Sequence, residues 1–198
     1  EEAERITNAF EQVWASHGGG HHGREHDRQR RSALVPFIDQ DEYLSSLLDD
    51  PRIKGIGSSI LGDDFNYTSG DGNFYTGDTQ WHSDGYARHP KYVSIKIAFY
   101  LDPVTRDSGC LRVIPGSHKL GDQFAESLQE GAPSSKEGRL EELLGVHGSE
   151  VPAVALETEP GDMLLFNHRT KHSSFGGADR RRMFTMNFVE RFREEDLA

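Results

Sequence analysis

The sequence predicts a mainly β fold, a sandwich or barrel of short strands with helices at its N-terminal end, and three observations lead there. Short apolar segments of strand length follow one another from Phe65 onward. In one of them Val93, Ile95, Ile97 and Phe99 alternate with Ser94, Lys96, Ala98 and Tyr100, the two-residue period of a strand with two unlike faces. Turn chemistry punctuates the series at Gly70-Asp71-Gly72, Pro115-Gly116-Ser117, Pro160-Gly161-Asp162 and Gly176-Gly177.

Taken in order, Glu1 to Ser16 sets Ala3, Ile6, Phe10, Val13 and Trp14 at three- and four-residue steps, one apolar stripe on a helix that needs a sheet to cover. The Gly- and His-rich stretch that follows, through residues 17–26, has no period and reads as a loop; its four histidines are assigned no metal, because such a segment holds no fixed ligand geometry. Short helices are expected at Asp41 to Leu48 and Pro51 to Leu61, the second opening with proline at a permitted position. Strands are expected at Phe65 to Ser69, Asn73 to Thr76, Leu111 to Ile114, Ala153 to Thr158, Met163 to Asn167 and Arg181 to Phe192. A charged insertion, Gly121 to Glu150, interrupts them with an expected helix at Lys136 to Leu144. The layout is one domain over residues 1–198: helical support to about residue 62, a β core over about 65–192, and a lid-like insertion over about 121–150.

Composition narrows the function classes. The single cysteine, Cys110, allows no disulfide within the chain and fits a reducing, cytoplasmic setting. No apolar run approaches the ~20 residues that cross a bilayer, so no membrane association is expected. A net charge of −11 opposes attraction to phosphate backbones and excludes nucleic acid as the expected partner. The chain begins at Glu1, which leaves the natural N-terminus open, and nothing in it fixes an oligomeric state.

The chemistry is carried by Gln80-Trp81-His82-Ser83-Asp84. Two residues apart on an extended segment, His82 and Asp84 leave the same face and can meet one ion. Alone the pair says little, since surface pairing is the commonest meaning of such a spacing. Its company is more telling: Gly109-Cys-Leu-Arg-Val-Ile-Pro-Gly-Ser-His118, then Pro160-Gly-Asp-Met-Leu-Leu-Phe, then His172, then Arg180-Arg181-Arg182 opening the last strand.

In order and spacing these segments, from about Phe65 to Phe188, resemble the phytanoyl-CoA dioxygenase family of Fe(II)/2-oxoglutarate oxygenases, including ectoine hydroxylase-type members. The resemblance implies a double-stranded β-helix, a cupin-like jelly roll with helices packed outside one sheet. It implies an iron held by His82, Asp84 and His172 on one triangular face, with the open positions left for 2-oxoglutarate and dioxygen. It also implies an arginine for the far carboxylate of 2-oxoglutarate, a task that suits its planar fork. Counting back about seven residues from Phe188 selects Arg181. Alternation agrees, because Arg181 shares a face with Met183, Thr185 and Asn187, whereas Arg182 shares one with the core-like Phe184, Met186 and Phe188. Arg182 stays the alternative. Ser174 and Asn66 are the other implied contacts of the cosubstrate.

The expected reaction is hydroxylation of an unactivated C–H bond in a small-molecule substrate, with release of succinate and CO2. Asp84 favours this over halogenation, since related halogenases replace the carboxylate with a small residue. Tyr75, Tyr86, Arg88, His89, Lys96 and Arg112 are candidate substrate contacts; His118 is read as structural, His168 as a neighbour rather than a ligand, and Trp81 as packing on the strand's other face. Two other classes remain open: a cupin-like metal protein acting without 2-oxoglutarate, and a catalytically silent binding domain.

Overall fold

The apolar stripe of the first sixteen residues coils as its spacing predicts. In the structure, a computed structural model that describes residues 1–17, 32–84, 92–131, 144–177 and 181–193, helix α1 spans Glu2–Ser16 and buries Ile6, Ala9, Phe10, Val13 and Trp14. Helix α2, Glu42–Ser46, is capped by the Asp41 carboxylate accepting from the Leu44 amide, and helix α3, Pro51–Leu61, by Asp50 accepting from Arg52. A further helix, α4, covers Gln123–Gly131 inside the charged insertion and was not foreseen; the helix expected at Lys136 to Leu144 lies almost wholly outside the described residues.

Among the described residues ten strands form two antiparallel sheets: β1 Ser32–Leu34, β2 Asn66–Ser69, β3 Gly72–Tyr75, β4 Thr79–His82, β5 Ser94–Tyr100, β6 Leu111–Val113, β7 Val154–Leu156, β8 Met163–Asn167, β9 His172–Ser174 and β10 Arg181–Val189. The six-stranded sheet runs β1-β3-β10-β5-β8, with β2 pairing the far end of β10; the four-stranded sheet runs β4-β9-β6-β7. Strands β1, β4 and β9 were not foreseen as separate elements. They are three or four residues long, too short for a period to show. The last strand stops at Val189 rather than reaching Phe192.

The alternation of β5 and β10 sorts the two faces of the larger sheet. Ile95, Ile97, Phe184, Met186 and Phe188 pack outward beneath the helices with Phe10, Trp14, Phe37, Ile38, Leu44 and Ile53. Phe99 stacks on Phe184 at 4.7 Å between ring centroids, and Trp14 meets Phe74 edge-on at 4.9 Å. Gly72 is required here, since a Cβ would stand 2.1 Å from the Phe37 ring. The opposite face of the sheet turns toward the four-stranded sheet, and Ala98, Tyr100, Leu111, Phe166 and Met183 form a smaller apolar layer between them. A third cluster, with Trp81, Ile114, Leu128, Val151 and Phe175, covers the outer side of the smaller sheet. Among the described residues no helix is long and apolar enough to cross a membrane.

Candidate active site

Neighbouring strands of the small sheet bring the two histidines together. His82, the last residue of β4, is paired with His172, the first of β9, and their ring centroids are 4.2 Å apart. The register between Thr79 and His82 carries an irregularity that re-aims the strand end. Each ring turns its Nδ1 to a backbone carbonyl two residues upstream, Gln80 at 2.7 Å and Thr170 at 2.8 Å. A hydrogen on Nδ1 donated to a carbonyl leaves the lone pair on Nε2, the tautomer a metal ligand needs. Just past β4, the Asp84 amide donates to the His168 carbonyl at 2.9 Å, which fixes the carboxylate against the turn after β8.

The donor atoms of His82, Asp84 and His172 all lie within 4.8 Å of one another. Asp84 Oδ2 is 3.8 Å from His172 Nε2. That separation is not an ion pair: burial holds the His172 imidazole down to about 3, more than the nearby carboxylate lifts it, so the ring is neutral at pH 7. Burial works against the Asp84 charge, yet Lys96 above all, with smaller contributions from His172 and His168, keeps its carboxyl well below the usual range. Two imidazoles and one carboxylate form a donor set that fits a divalent iron.

A cavity of about 750 Å³ opens between the sheets, lined by these three residues and, from the larger sheet, by Asp71, Tyr75, Lys96, Tyr100, Arg181 and Thr185 among others. Arg181, 2% exposed, donates to the Gly109 carbonyl and to Ser174 Oγ, and Ser174 in turn donates to the same carbonyl at 2.7 Å. The Tyr75 ring lies under its guanidinium at 4.8 Å. Arg181 Nε is buried with no acceptor among the described residues, so the fork has a donor to give to an anion. A second cavity of about 220 Å³, between α1, α3 and the outer sheet face, has charged groups only in Glu2, Asp50 and Arg52, which pair with one another.

The expected site residues therefore divide. His82, Asp84 and His172 converge; Arg181 and Ser174 sit together elsewhere in the same cavity; Tyr75 and Lys96 line it. Arg182 does not reach it: its side chain lies on the helix-covered face, bound to Asp102 and to Glu11 of α1, as alternation in β10 requires. Asn66 is exposed on β2, opposite Val189, at the far end of the sheet. Arg112 points away from the cavity to the carbonyls of Ser149 and Arg106. Trp81 packs outward on Phe175 and donates to Gly148, and His168 is held by Asn187 at 3.1 Å. His118 is not among the lining residues. Tyr86, Arg88, His89 and Arg180 lie outside the described residues. The sequence reading missed Asp71, which binds Thr185 and Asn73, and the Gly109 carbonyl; the turn-forming run Asp107-Ser108-Gly109 was the available signal for the second.

The family model described as Phytanoyl-CoA dioxygenase (PhyH) matches residues 1–183. The chain is 29% identical over 161 residues to the ectoine dioxygenase of Sphingopyxis alaskensis, covering 69% of this chain and 50% of that protein. The crystal structure of EctD from S. alaskensis with bound Fe is similar at a TM-score of 0.65 and 22% identity, over 96% of this chain and 68% of that one. The non-heme alpha ketoglutarate dependent carbocyclase SnoK from nogalamycin biosynthesis is similar at a TM-score of 0.69 and 22% identity, over 96% and 75%. At such identities these structures establish the fold, a double-stranded β-helix with some helices. A second relative, the dioxygenase lolE1 of Epichloe uncinata, is 35% identical over 83 residues, 42% of this chain and 27% of that protein, so the matched stretches span half or less of these relatives' length.

Proposed function

The chain belongs to the phytanoyl-CoA dioxygenase family, and from that membership we propose that it is an Fe(II)- and 2-oxoglutarate-dependent dioxygenase that hydroxylates an unactivated C–H bond of a small-molecule metabolite, releasing succinate and CO2. The observation that carries this reading is the presence in one cavity of a three-donor metal set and, apart from it, a buried arginine with an unmatched donor. The iron bound in S. alaskensis EctD and the alpha-ketoglutarate dependence of SnoK support the same pair of cofactors.

His82, Asp84 and His172 hold Fe(II), which with 2-oxoglutarate and dioxygen supplies the oxidising power for the C–H bond. The chain's own residues do the positioning. Arg181 grips the far carboxylate of the keto acid, with Ser174 and the Gly109 carbonyl fixing the guanidinium and Tyr75 shielding it from water. Leu111, Phe166, Ala98 and Met183 give the reacting region an apolar wall that keeps bulk water away, and Phe166 packs on the His172 ring at 5.0 Å. Asp78 and Gln80 are exposed and mark the mouth, where substrate enters. The arginine clamp favours this reading over a metal protein that does not use 2-oxoglutarate, which would have no need of a buried cation here.

The test is succinate release from 2-oxoglutarate with Fe(II) and dioxygen, run across a metabolite library. Wild type should release succinate faster in the presence of its substrate, and Asp84→Ala should lose metal binding and turnover together. No succinate from any mixture, and no visible charge-transfer band when 2-oxoglutarate meets the anaerobic Fe(II) protein, would remove the proposal.

A further inference from the structure

Lys96 comes from β5 of the larger sheet and Asp84 from just beyond β4 of the smaller one. They meet across the cavity with Nζ 2.9 Å from Asp84 Oδ2, their side chains only 12% and 11% exposed. The oxygen that Lys96 touches is the one that faces the His172 imidazole. An ammonium and a divalent cation would therefore draw on the same oxygen. Building on the metal-site reading above, we propose that Lys96 is a resident cationic competitor of the metal, weakening divalent-ion binding by the protein alone and making tight binding depend on the dianionic keto acid.

A carboxylate as buried as that of Asp84 is costly unless a cation accompanies it, and Lys96 is that cation in the metal-free protein. A metal ion added to the same carboxylate is repelled by the ammonium at short range, where little water intervenes. Formal charge shows the direction. Among the described lining residues, Lys96 and Arg181 balance Asp84 and Asp71, while Asp78 is exposed at the mouth and screened. Counting these four charged residues alone, the set is neutral, a divalent ion alone makes it doubly positive, and a dianion returns it to zero. Without Lys96 the balance shifts one unit toward holding the metal alone and against the dianion. The coupling between metal and keto acid is reciprocal, so it is readable from either ligand.

The experiment measures Mn(II) and 2-oxoglutarate binding by calorimetry to the full chain as wild type, Lys96→Met and Lys96→Arg. Lys96→Met should bind Mn(II) alone at least tenfold more tightly, and its Mn(II) form should bind 2-oxoglutarate at least tenfold more weakly. Lys96→Arg keeps the charge and should stay within threefold of wild type on both. If Lys96 only orients Asp84, Lys96→Met will bind Mn(II) more weakly, which overturns the proposal, as does an unchanged affinity for both ligands. Should Lys96→Met fail to fold by circular dichroism, Lys96→Gln carries the same expectation. Wild type that binds neither Mn(II) nor 2-oxoglutarate would refute the site itself. A normal wild type with unresponsive variants would refute only the role of Lys96.

Discussion

Gly109→Ala perturbs the anion-binding part of the cavity without altering any charged group. Gly109 has φ +93°, where a side chain costs about 1–2 kcal/mol. The added Cβ would stand 2.1 Å from Arg181 Nη1 and 2.9 Å from the Gly177 Cα. Ordinary contact begins near 3.4 Å, so the guanidinium has to retreat by about 1 Å, giving up its bond to the Gly109 carbonyl and its place beside Ser174. A hydrogen bond to a charged group contributes about 1.5–3 kcal/mol. Losing one such bond to the far carboxylate weakens 2-oxoglutarate binding about 10- to 150-fold. The affinity is read from the charge-transfer band of the anaerobic Fe(II) protein, with urea unfolding in parallel to register the backbone cost. A folded, metal-binding Gly109→Ala protein that holds 2-oxoglutarate within threefold of wild type would show that the Arg181 clamp is not what grips the keto acid.

Arg182→Met separates the neighbouring arginines. It leaves Asp102 without its bidentate partner and cuts the tie to α1, so urea unfolding should show a loss of about 1–3 kcal/mol, a range discounted for the partial exposure of the acids. Its 2-oxoglutarate affinity should remain within threefold of wild type. Acid should destabilise the metal-free protein. Burial pushes His168 down to about 4 and His172 to about 3, below the 6.5 of an unfolded chain, so the unfolded state binds more protons between those values. The stability from keeping these rings neutral is complete above pH 6.5 and is lost as pH falls toward 4, at up to about 1.4 kcal/mol per unit for each ring. Urea titrations at pH 7, 5.5 and 4.5 should show this fall, with a slope shallower by roughly half in His168→Gln. The depressed carboxyl of Asp84 adds its own loss only below 3.8. A profile flat from pH 7 to 4.5 would contradict the buried, neutral state of the rings.

Long elements with a clear period were legible in the sequence. The alternation in β5 showed two unlike faces, and that in β10 set Arg182 with the helix-facing Phe184, Met186 and Phe188 and so favoured Arg181 for the other face, with Arg182 kept as the alternative. The stripe on α1 did the same for the helical layer. Some short strands were not legible: Ser32–Leu34 and His172–Ser174 exist through pairing with partners distant in sequence rather than through local preference. Helix α4 was missed because its segment is charged and shows Ala125 and Leu128 as its only buried described residues. Spacing indicated that His82 and Asp84 share a face, but the meeting of Lys96 with Asp84 depends on how two sheets approach each other, which no local pattern encodes. Asn66 failed as a site residue for a similar reason: strand position alone does not say which end of a sheet the cavity occupies.

His82 and His172 belong to adjacent strands of the four-stranded sheet and Asp84 lies two residues beyond one of them, whereas Arg181 belongs to the opposite sheet and, among the described residues, is riveted across the gap at Ser174 and Gly109. The two grips therefore answer to different mechanical supports. On the proposed roles, a breathing motion that parted the sheets would leave the three metal donors in register while lengthening the reach to the guanidinium, so the hold on the keto acid would slacken before the hold on the ion.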